Sequence, residues 1–450
     1  MLSTKDFSND QHGWAEFLPE RIPNSACKGQ LRSRWAIVGA GLTGLACARR
    51  LAELHPDDEI ILLDARAVAQ AASGRNSGYA VATSHFGGPF DSSQRDNYAR
   101  INRINRAGLN LLSEQVNKHK IECQWSAEGF IHTVADTASL KEVGDFSGYL
   151  EKMEVPHTLM DQSVLAEKLG TEWYQSGVHV HGGALVQPAS LVYGLVDSLP
   201  ENVTLYERSP VILRPDIKRS VNNESGSSSA SSQITLQTPD ATIVADNVIV
   251  TANFEATKIG LIERFILGST LSGSFTRKLT KKELDSLGSL KQWGILSLHS
   301  GGATVRLTQD GRLSVRNTAE YHAGRLMSDQ LLAQRRNIHR RGFENRFPQL
   351  SHVPFEYSWS GVEGISRNMT NFFQNPEKGL YLAGGFNGSG VSRGTAFGTA
   401  MAEYASAGQS TLIDDCLASP KAEWIPPRPL LDIGAWFTVR KRFKGVGRDR

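Results

Sequence analysis

Two glycine-rich segments, one near each end of the chain, have the residue types that bind phosphate groups through the backbone. The first is GAGLTG at residues 39–44, and the second is GGFNGSG at residues 384–390. Glycines let a pyrophosphate approach the main chain, and the N–H groups at the start of a following helix attract its negative charge. Each segment therefore predicts contact with a dinucleotide.

The residues around the first segment predict a strand, a helix and a second strand. An apolar run at residues 35–38 leads into Gly39, and leucines then recur at helical spacing from Leu42 to Leu51. Residues 59–64 read as the second strand, which ends at Asp64, 25 residues after Gly39. This is the βαβ unit that binds a dinucleotide. Since the two glycine segments lie at opposite ends of one chain, we expect FAD, held between the first and last parts of one folded unit.

Each position of this unit has an expected role. Gly39 permits the tight turn, Gly41 lets the backbone approach the pyrophosphate, and Gly44 lets the helix pack closely on the strand. Asp64 is expected to accept hydrogen bonds from the ribose hydroxyls of the adenosine. The neighbouring positions expected to complete this end of the site are Leu42, Thr43, Ala65 and Arg66.

The rest of the chain predicts an α/β protein with a Rossmann-type FAD-binding domain and a second, α+β substrate domain built on an antiparallel sheet. Residues 91–120 read as an amphipathic helix, and residues 271–316 alternate between apolar and polar. We expect an N-terminal arm (1–32), a discontinuous FAD-binding domain (33–90, 150–265 and 355–415), a substrate domain (91–149 and 266–354) and a basic C-terminal tail (416–450).

Composition excludes several classes of protein. The 450 residues carry a net charge of only +3, which does not indicate a nucleic-acid partner. Four scattered cysteines have no metal-ligand spacing and predict no disulfide framework, and we expect no metal site. The first residues lack a signal-peptide pattern, and no apolar run approaches the roughly 20 residues that span a bilayer. We therefore expect a cytoplasmic protein.

Further motifs carry a resemblance to a known family. They are ASGRNSG at residues 72–78, DGR at 310–312 and WSGVEGISRN at 359–368. With the glycine segments, they resemble the D-amino-acid oxidase-like superfamily of FAD-dependent amine and amino-acid oxidases over roughly residues 30–410. The SGRN form is most similar to the γ-glutamylputrescine oxidase branch. This resemblance implies hydride transfer from the carbon beside an amine nitrogen to FAD, with O2 or another compound as electron acceptor.

The same resemblance assigns further FAD contacts. They fall in the second motif, near the adenine, after a buried strand and in the C-terminal glycine segment: Ser73, Gly74, Arg75, Asn76, Ser77, Gly78, Val211, Thr251, Ala252, Gly384, Gly385, Asn387, Gly388, Ser389, Gly390 and Val391. Arg393 either faces the flavin site or is a solvated residue at the start of a helix. Relatives that attach FAD covalently use a histidine in the second motif or a cysteine before the last one. Residues 73–78 contain no histidine and residues 300–383 no cysteine, so we expect non-covalent FAD.

The candidate substrate residues include one departure from the family pattern. Amino-acid oxidases of this superfamily commonly place an arginine two residues after the glycine of the Trp-x-Gly motif, where Glu363 stands here. A carboxylate there would attract a second ammonium group, which favours an amine or polyamine derivative over a simple amino acid. Alternatively, Glu363 points away or pairs with Arg367, which is itself a candidate.

Three other substrate candidates each have a structural alternative, and no catalytic residue is assigned. His85 follows the flavin motif but is also expected as a structural or surface histidine. Trp359 either walls the pocket or packs in the core. Arg306 either borders the substrate cavity or lies on a solvated strand face.

The C-terminal tail joins an apolar segment, residues 430–437, to one with six basic residues and one acidic residue, 439–450. It either contacts an anionic membrane surface or a protein, or forms a helix packed on the FAD-binding domain. Two alternative functions stay open: an amine or amino-acid dehydrogenase that uses a quinone or protein acceptor, for which the tail would be a docking surface, and a flavoprotein that acts on a partner protein.

Overall fold

A computed structural model describes residues 12–212, 215–219, 232–299 and 301–450. The N-terminal arm predicted for residues 1–32 therefore lies partly outside the described residues. Two large β-sheets organise the described chain, and each has its own hydrophobic core.

The first sheet has a parallel centre, as a Rossmann-type domain requires. Its strands run in the order β17-β18-β11-β1-β2-β8, and β9 and β10 extend it beside β11. Pairing is parallel from β18 to β8, and Ile37 of β1 lies opposite both Leu62 and Ile249. The strands are β1 (Gly29–Val38), β2 (Ile60–Leu63), β8 (Val203–Tyr206), β9 (Asp216–Arg219), β10 (Ser232–Gln237), β11 (Ala241–Val250), β17 (Phe372–Glu377) and β18 (Leu380–Gly384).

Helices cover this sheet: α2 (Leu42–Leu54), α4 (Arg95–His119), α7 (Pro188–Asp197) and α10 (Gly390–Ala405). The predicted helix at 91–120 is α4, but its expected place in the substrate domain is wrong. Its apolar face joins the core of the first sheet, and it approaches α10 so closely that a Cβ on Gly108 would lie 1.8 Å from the carbonyl oxygen of Ser392. An amphipathic pattern shows which face is buried, not which sheet buries it.

The second sheet runs in the order β16-β12-β15-β14-β13-β4-β6-β5, and every pair except β13 with β4 is antiparallel. Its strands are β4 (Phe130–Val134), β5 (His157–Asp161), β6 (Ser176–Val180), β12 (Ile266–Thr276), β13 (Trp293–Ser297), β14 (Thr304–Leu307), β15 (Leu313–Glu320) and β16 (Phe355–Ser366). The associated helices are α5 (Leu140–Lys152), α6 (Gln162–Leu169), α8 (Lys281–Asp285) and α9 (Asp329–Arg346). The predicted fold, a Rossmann-type domain with a second antiparallel sheet, is confirmed.

Three strands of the second sheet lie in ranges that we expected in the FAD-binding domain. They are β5, β6 and β16. Strand β16 pairs with β12 along nearly its whole length, and β6 pairs with β4. The chain therefore passes between the two sheets more often than we predicted. An alternation of apolar and polar residues predicts a strand, but it does not identify the strand with which it pairs. The division into domains stays a proposal, with these strands moved to the substrate side.

Short elements join the two sheets. Helix α1 (Gly13–Glu16) places Trp14 against Phe275 of β12 and Trp359 of β16, with ring centroids 4.7 Å and 6.4 Å away. The described part of the arm therefore contacts the second sheet as well as the first. The remaining elements are α3 (Ala72–Arg75), β3 (Tyr79–Ala80), β7 (Ala184–Leu185), α11 (Thr411–Leu417) and α12 (Leu430–Lys444).

Candidate active site

One elongated cavity of about 960 Å³ extends from the carboxyl ends of β1 and β2 to the face of the second sheet. Ligands of open parallel sheets bind at such carboxyl ends. The volume is at the upper end of the roughly 300–1,000 Å³ of small-molecule sites, which suits an extended cofactor together with a substrate.

The first glycine segment forms one end of the cavity, and each of its positions favours glycine for a different structural reason. Gly39 adopts a φ of +109°, which favours glycine. A Cβ on Gly44 would lie 1.8 Å from the carbonyl oxygen of Gly39, so close packing of α2 requires glycine there. A Cβ on Gly41 would lie 2.7 Å from Oγ of Ser73. Gly39, Gly41, Leu42 and Thr43 line the cavity, whereas Gly44 lies behind them.

Asp64 lies at the same end in a half-buried, hydrogen-bonded position on the cavity wall. Its Oδ2 accepts a hydrogen bond from the N–H of Ala40, and its Oδ1 accepts one from the N–H of Arg66, both at 2.9 Å. Burial raises the pKa of the Asp64 carboxyl to about 6, although the two N–H groups oppose the shift. Three other predicted residues also line this end of the cavity: Ala65, Arg66 and Val211.

The SGRNSG motif forms a loop that is one wall of the cavity. The side chains of Arg75 and Asn76 stabilise this loop through hydrogen bonds to the backbone. Arg75 donates hydrogen bonds to the carbonyl oxygens of Gln70 and Ser360, both at 2.9 Å, which ties the loop to β16. Oδ1 of Asn76 accepts a hydrogen bond from the N–H of Gly78 at 2.8 Å. Ser73, Arg75, Asn76 and Ser77 line the cavity, while Gly74 and Gly78 lie where a Cβ would clash with backbone oxygens.

The C-terminal glycine segment closes the cavity with the start of a long helix. Gly388, Ser389, Gly390 and Val391 line the cavity at the N-terminus of α10. Asn387 shapes the turn, since its Oδ1 accepts a hydrogen bond from the N–H of Ser366 at 2.9 Å. Behind the turn, the N–H of Gly385 donates to Oδ1 of Asn253 at 2.8 Å. Thr251, Ala252 and Asn253 line the same wall, and Gly384 lies directly behind Asn253.

Glu363 and Trp359, both on β16, line the cavity. Oε2 of Glu363 would lie 3.3 Å from a Cβ on Gly388, so this carboxylate faces the turn that precedes α10. Trp359 stacks on Phe275 at 4.8 Å and donates a hydrogen bond from Nε1 to the carbonyl oxygen of Arg75 at 3.1 Å. Trp359 thus both packs in the core and walls the cavity.

His85 also lines the cavity, next to a second histidine that the sequence did not single out. The rings of His85 and His132 lie 5.9 Å apart. Burial lowers the pKa of His85 to about 4 and that of His132 well below its ordinary value. Both imidazoles are therefore uncharged at neutral pH.

Two substrate candidates lie outside the cavity wall. Arg306 is fully buried, and its Nη1 donates to the carbonyl oxygens of Val186 at 2.5 Å and Ser77 at 3.2 Å, so it supports the SGRNSG loop from behind. Its predicted place at the substrate cavity is wrong, because Ser77, Gly78 and Val186 cover its guanidinium on this face of β14 and separate it from the cavity. Arg367 is on the surface, where it forms an ion pair with Glu423 at 3.3 Å, and it is not the partner that we considered for Glu363.

Pairing between strands brings Arg316 to the end of the cavity that the second sheet forms, where we expect the substrate. Thr304 lies opposite both Arg316 and Leu296, and Leu296 lies opposite His132. Residues directly opposite on adjacent strands present their side chains to the same face, and all four of these residues line the cavity. Nη2 of Arg316 donates a hydrogen bond to Oγ1 of Thr304. The sequence did not predict that these four residues lie together. They are brought together by the pairing of four strands and do not form a motif in the sequence.

Arg393, on the first turn of α10, is buried and lines the cavity, which excludes the solvated alternative. Its guanidinium donates to Oδ1 of Asn105 at 3.1 Å and to Oγ of Ser84 at 2.9 Å. Burial lowers its pKa to about 10, so the group remains a cation at neutral pH. It adds positive charge beside the helix N-terminus.

Comparison with protein families identifies the family of this chain and its cofactor. A family model described as DAO, FAD dependent oxidoreductase, matches residues 34–404. The chain belongs to this family. The DAO-family chain is 24% identical over 391 residues to the γ-glutamylputrescine oxidoreductase of Escherichia coli, and this alignment covers 82% of each chain. It is 25% identical over 467 residues to the probable oxidoreductase OrdL of Rhizobium meliloti, which covers 96% of this chain and 98% of that one.

Solved structures show the same fold. Glycine oxidase from Geobacillus kaustophilus superimposes with a TM-score of 0.68 at 16% identity, over 85% of this chain and 96% of that one. L-proline dehydrogenase from P. horikoshii superimposes with a TM-score of 0.65 at 16% identity, over 87% and 96%. The predicted family and its cofactor, FAD, are confirmed.

The residues of the cavity fit FAD. The glycine turn and the first turn of α2 offer N–H groups to a pyrophosphate, and Asp64 is an acceptor for ribose hydroxyls. At the other end, the N-terminus of α10 and Arg393 supply positive potential. When bound, FAD supplies the oxidising group, and positive charge near its ring stabilises the negative charge of the reduced form.

We predict that this DAO-family enzyme releases its flavin when it is precipitated with acid. All four cysteines are free and buried, and all four lie outside the cavity lining. The SGRNSG loop has no histidine to form a covalent bond. The measurement is flavin absorbance in the supernatant after precipitation with trichloroacetic acid. Flavin that stays in the washed pellet would contradict the prediction.

We also predict that the affinity for FAD depends on pH through Asp64. The carboxylate is the form that accepts hydrogen bonds from a ribose, and its pKa is about 6. Affinity should therefore be highest above pH 6 and decrease as the pH falls through 6. Asp64→Asn should weaken binding by about 1–3 kcal/mol at pH 8, the value of a hydrogen bond to a charged group, and flatten this pH dependence. Titration of apoprotein with FAD at pH 5 and pH 8 measures both effects. If the affinity for FAD changes equally with pH in the parent and in Asp64→Asn, Asp64 is not the group responsible.

Proposed function

We propose that this protein catalyses the FAD-dependent oxidation of an amine, with a second cationic group of the substrate directed to Glu363. The observation that carries the proposal is the carboxylate of Glu363 at the cavity wall, beside the turn that precedes α10. At this place a carboxylate attracts an ammonium group and repels the carboxylate of a simple amino acid. A diamine or a polyamine derivative matches this charge.

The reaction class follows from what FAD accepts and from what the chain provides. Bound FAD would accept a hydride from the carbon beside the amine nitrogen, and water would then hydrolyse the imine product to a carbonyl compound. The chain orients the amine and limits access of water, which are the main demands on the protein in such a reaction. Trp359 and the uncharged imidazoles of His85 and His132 line part of the cavity, and uncharged surroundings favour the neutral form of the amine that reacts.

Arg316 supports a second candidate, an amine that also bears a carboxylate, or an amino acid. Its guanidinium lies on the cavity face next to Thr304, on the far side of β12 from Glu363. A guanidinium binds a carboxylate through two parallel hydrogen bonds. Glu363 and Arg316 line the same cavity, so a substrate with both an ammonium group and a carboxylate could contact both residues.

For the electron acceptor we propose O2, which is reduced to hydrogen peroxide, and the alternative is a quinone or a protein. The test is a panel of diamines, monoamines, acylated diamines and amino acids, assayed for peroxide and in parallel with an artificial acceptor. Peroxide with diamines supports an oxidase, and activity with the artificial acceptor alone supports a dehydrogenase. If no compound bleaches the flavin under anaerobic conditions, amine oxidation is excluded, and a flavoprotein that acts on a partner protein becomes the better account.

A further inference from the structure

Helix α12 has an outward face that is more apolar than a solvated helix requires. Leu430, Ile433, Trp436 and Phe437 are 62%, 53%, 52% and 61% exposed. Their spacing of three and four residues puts them on one side of the helix. Isolated apolar residues are common on protein surfaces, but four large ones on two turns form a patch that indicates an interaction.

The same face continues into three cations. Arg440, Lys441 and Lys444 follow Phe437 at helical spacing and are exposed. The guanidinium carbon of Arg440 lies 5.1 Å from the ring centroid of Trp436, so the aromatic and basic parts are in direct contact. The acidic residue of this helix, Asp432, is engaged elsewhere, because it accepts a hydrogen bond from Tyr321 at 2.8 Å. The outward face therefore combines apolar and positive groups.

The opposite side of α12 is anchored, so this face is presented in a fixed orientation. Leu431, Ala435, Val439 and Phe443 are half-buried. Beyond the helix, the carbonyl oxygen of Asp449 accepts hydrogen bonds from the N–H of Ala303 at 2.7 Å and from Arg346 at 2.9 Å. Tyr321, which donates to Asp432 of α12, and both partners of Asp449 belong to the range 266–354, so the tail contacts the substrate side, although we expected it to pack on the FAD-binding domain.

We infer that α12 docks this protein on the surface of an anionic lipid bilayer. Exposed tryptophan, phenylalanine and leucine next to lysine and arginine match the boundary between acyl chains and anionic headgroups. A helix of 15 residues would lie in this interface and not cross it. Accordingly, no helix in the described part of the chain has the length and apolar character to span a bilayer.

The experiment is flotation of the full-length holoprotein with vesicles of phosphatidylcholine alone or with about one third phosphatidylglycerol. We expect partitioning at least about tenfold stronger on the anionic vesicles at low salt, and a decrease as salt screens the charges. Trp436→Ala with Phe437→Ala should reduce binding about tenfold or more, and so should Lys441→Glu with Lys444→Glu. The matched controls are Leu140→Ala with Leu159→Ala and Lys141→Glu with Lys281→Glu, which alter exposed residues elsewhere and should leave binding unchanged.

Equal binding to both kinds of vesicle, or no binding to either, would overturn the inference. If the α12 variants instead convert a dimer to a monomer in analytical ultracentrifugation, the face is an interface between two copies, which also overturns it. Flavin content and amine oxidation by soluble protein should be the same in all four double variants. Failure of lipid binding is therefore distinguishable from failure of the proposed amine oxidation.

Discussion

Gly41→Val is expected to yield a protein that folds but purifies without flavin. A Cβ at residue 41 would lie 2.7 Å from Oγ of Ser73, which itself accepts a hydrogen bond from the N–H of Leu42 at 3.0 Å. The valine would displace this hydroxyl and extend its methyl groups into the part of the cavity where we expect the pyrophosphate to bind. Overpacking costs about 1–3 kcal/mol, to which the lost phosphate contacts add.

The measurement is the ratio of flavin to protein absorbance in the purified protein, with circular dichroism to establish folding. Gly144→Val is the matched control, since Gly144 lies in α5 and a Cβ there meets open space. The control should retain FAD. If Gly41→Val retains FAD at the parental ratio, the cofactor lies elsewhere and the whole description of the cavity is in error.

Glu363→Gln is expected to reduce kcat/KM for diamines by about tenfold or more and to spare amines with uncharged tails. One charge-assisted hydrogen bond contributes about 1.5–3 kcal/mol, which corresponds to this loss when it appears in KM. Glu363→Arg should reduce diamine oxidation further and could admit amino acids, because it supplies a clamp for a carboxylate.

Steady-state kinetics with matched pairs of substrates measure this effect. Glu263→Gln removes an exposed carboxylate away from the cavity and should behave as the parent. Arg316→Gln separates the two candidate substrates, since it should impair only compounds that carry a carboxylate. The selectivity role of Glu363 is refuted if Glu363→Gln treats all amines as the parent does, or if the parent already prefers simple amino acids.

The cofactor was predictable because its signals are local in sequence. Gly39, Gly41 and Gly44 meet demands of a turn and of one helix packing on one strand, within a single βαβ unit. Asp64 directly follows the neighbouring strand, β2, at a distance from Gly39 that the same unit determines. Each of these residues is positioned by elements a few residues away in the sequence, so a short sequence motif is sufficient to predict their arrangement.

The substrate end was not predictable, because strands distant in sequence build it. Arg316 and His132 meet on one face only through the register of β15, β14, β13 and β4. Arg306 is two residues after Thr304 on β14 and shares its face, yet Arg306 supports the SGRNSG loop from behind whereas Thr304 lines the cavity. The outcome depends on how the second sheet is placed against the first and on which neighbours surround each side chain.

The sequence alone therefore determined the family, the cofactor and the presence of a second antiparallel sheet. Only the tertiary structure decided which charges face the cavity, that α4 packs on the first sheet, and that α12 turns an apolar and basic face outward. The physical reason is the range of the interactions: capping, turns and phosphate contacts act between near neighbours, whereas strand register and helix packing are set by the whole core.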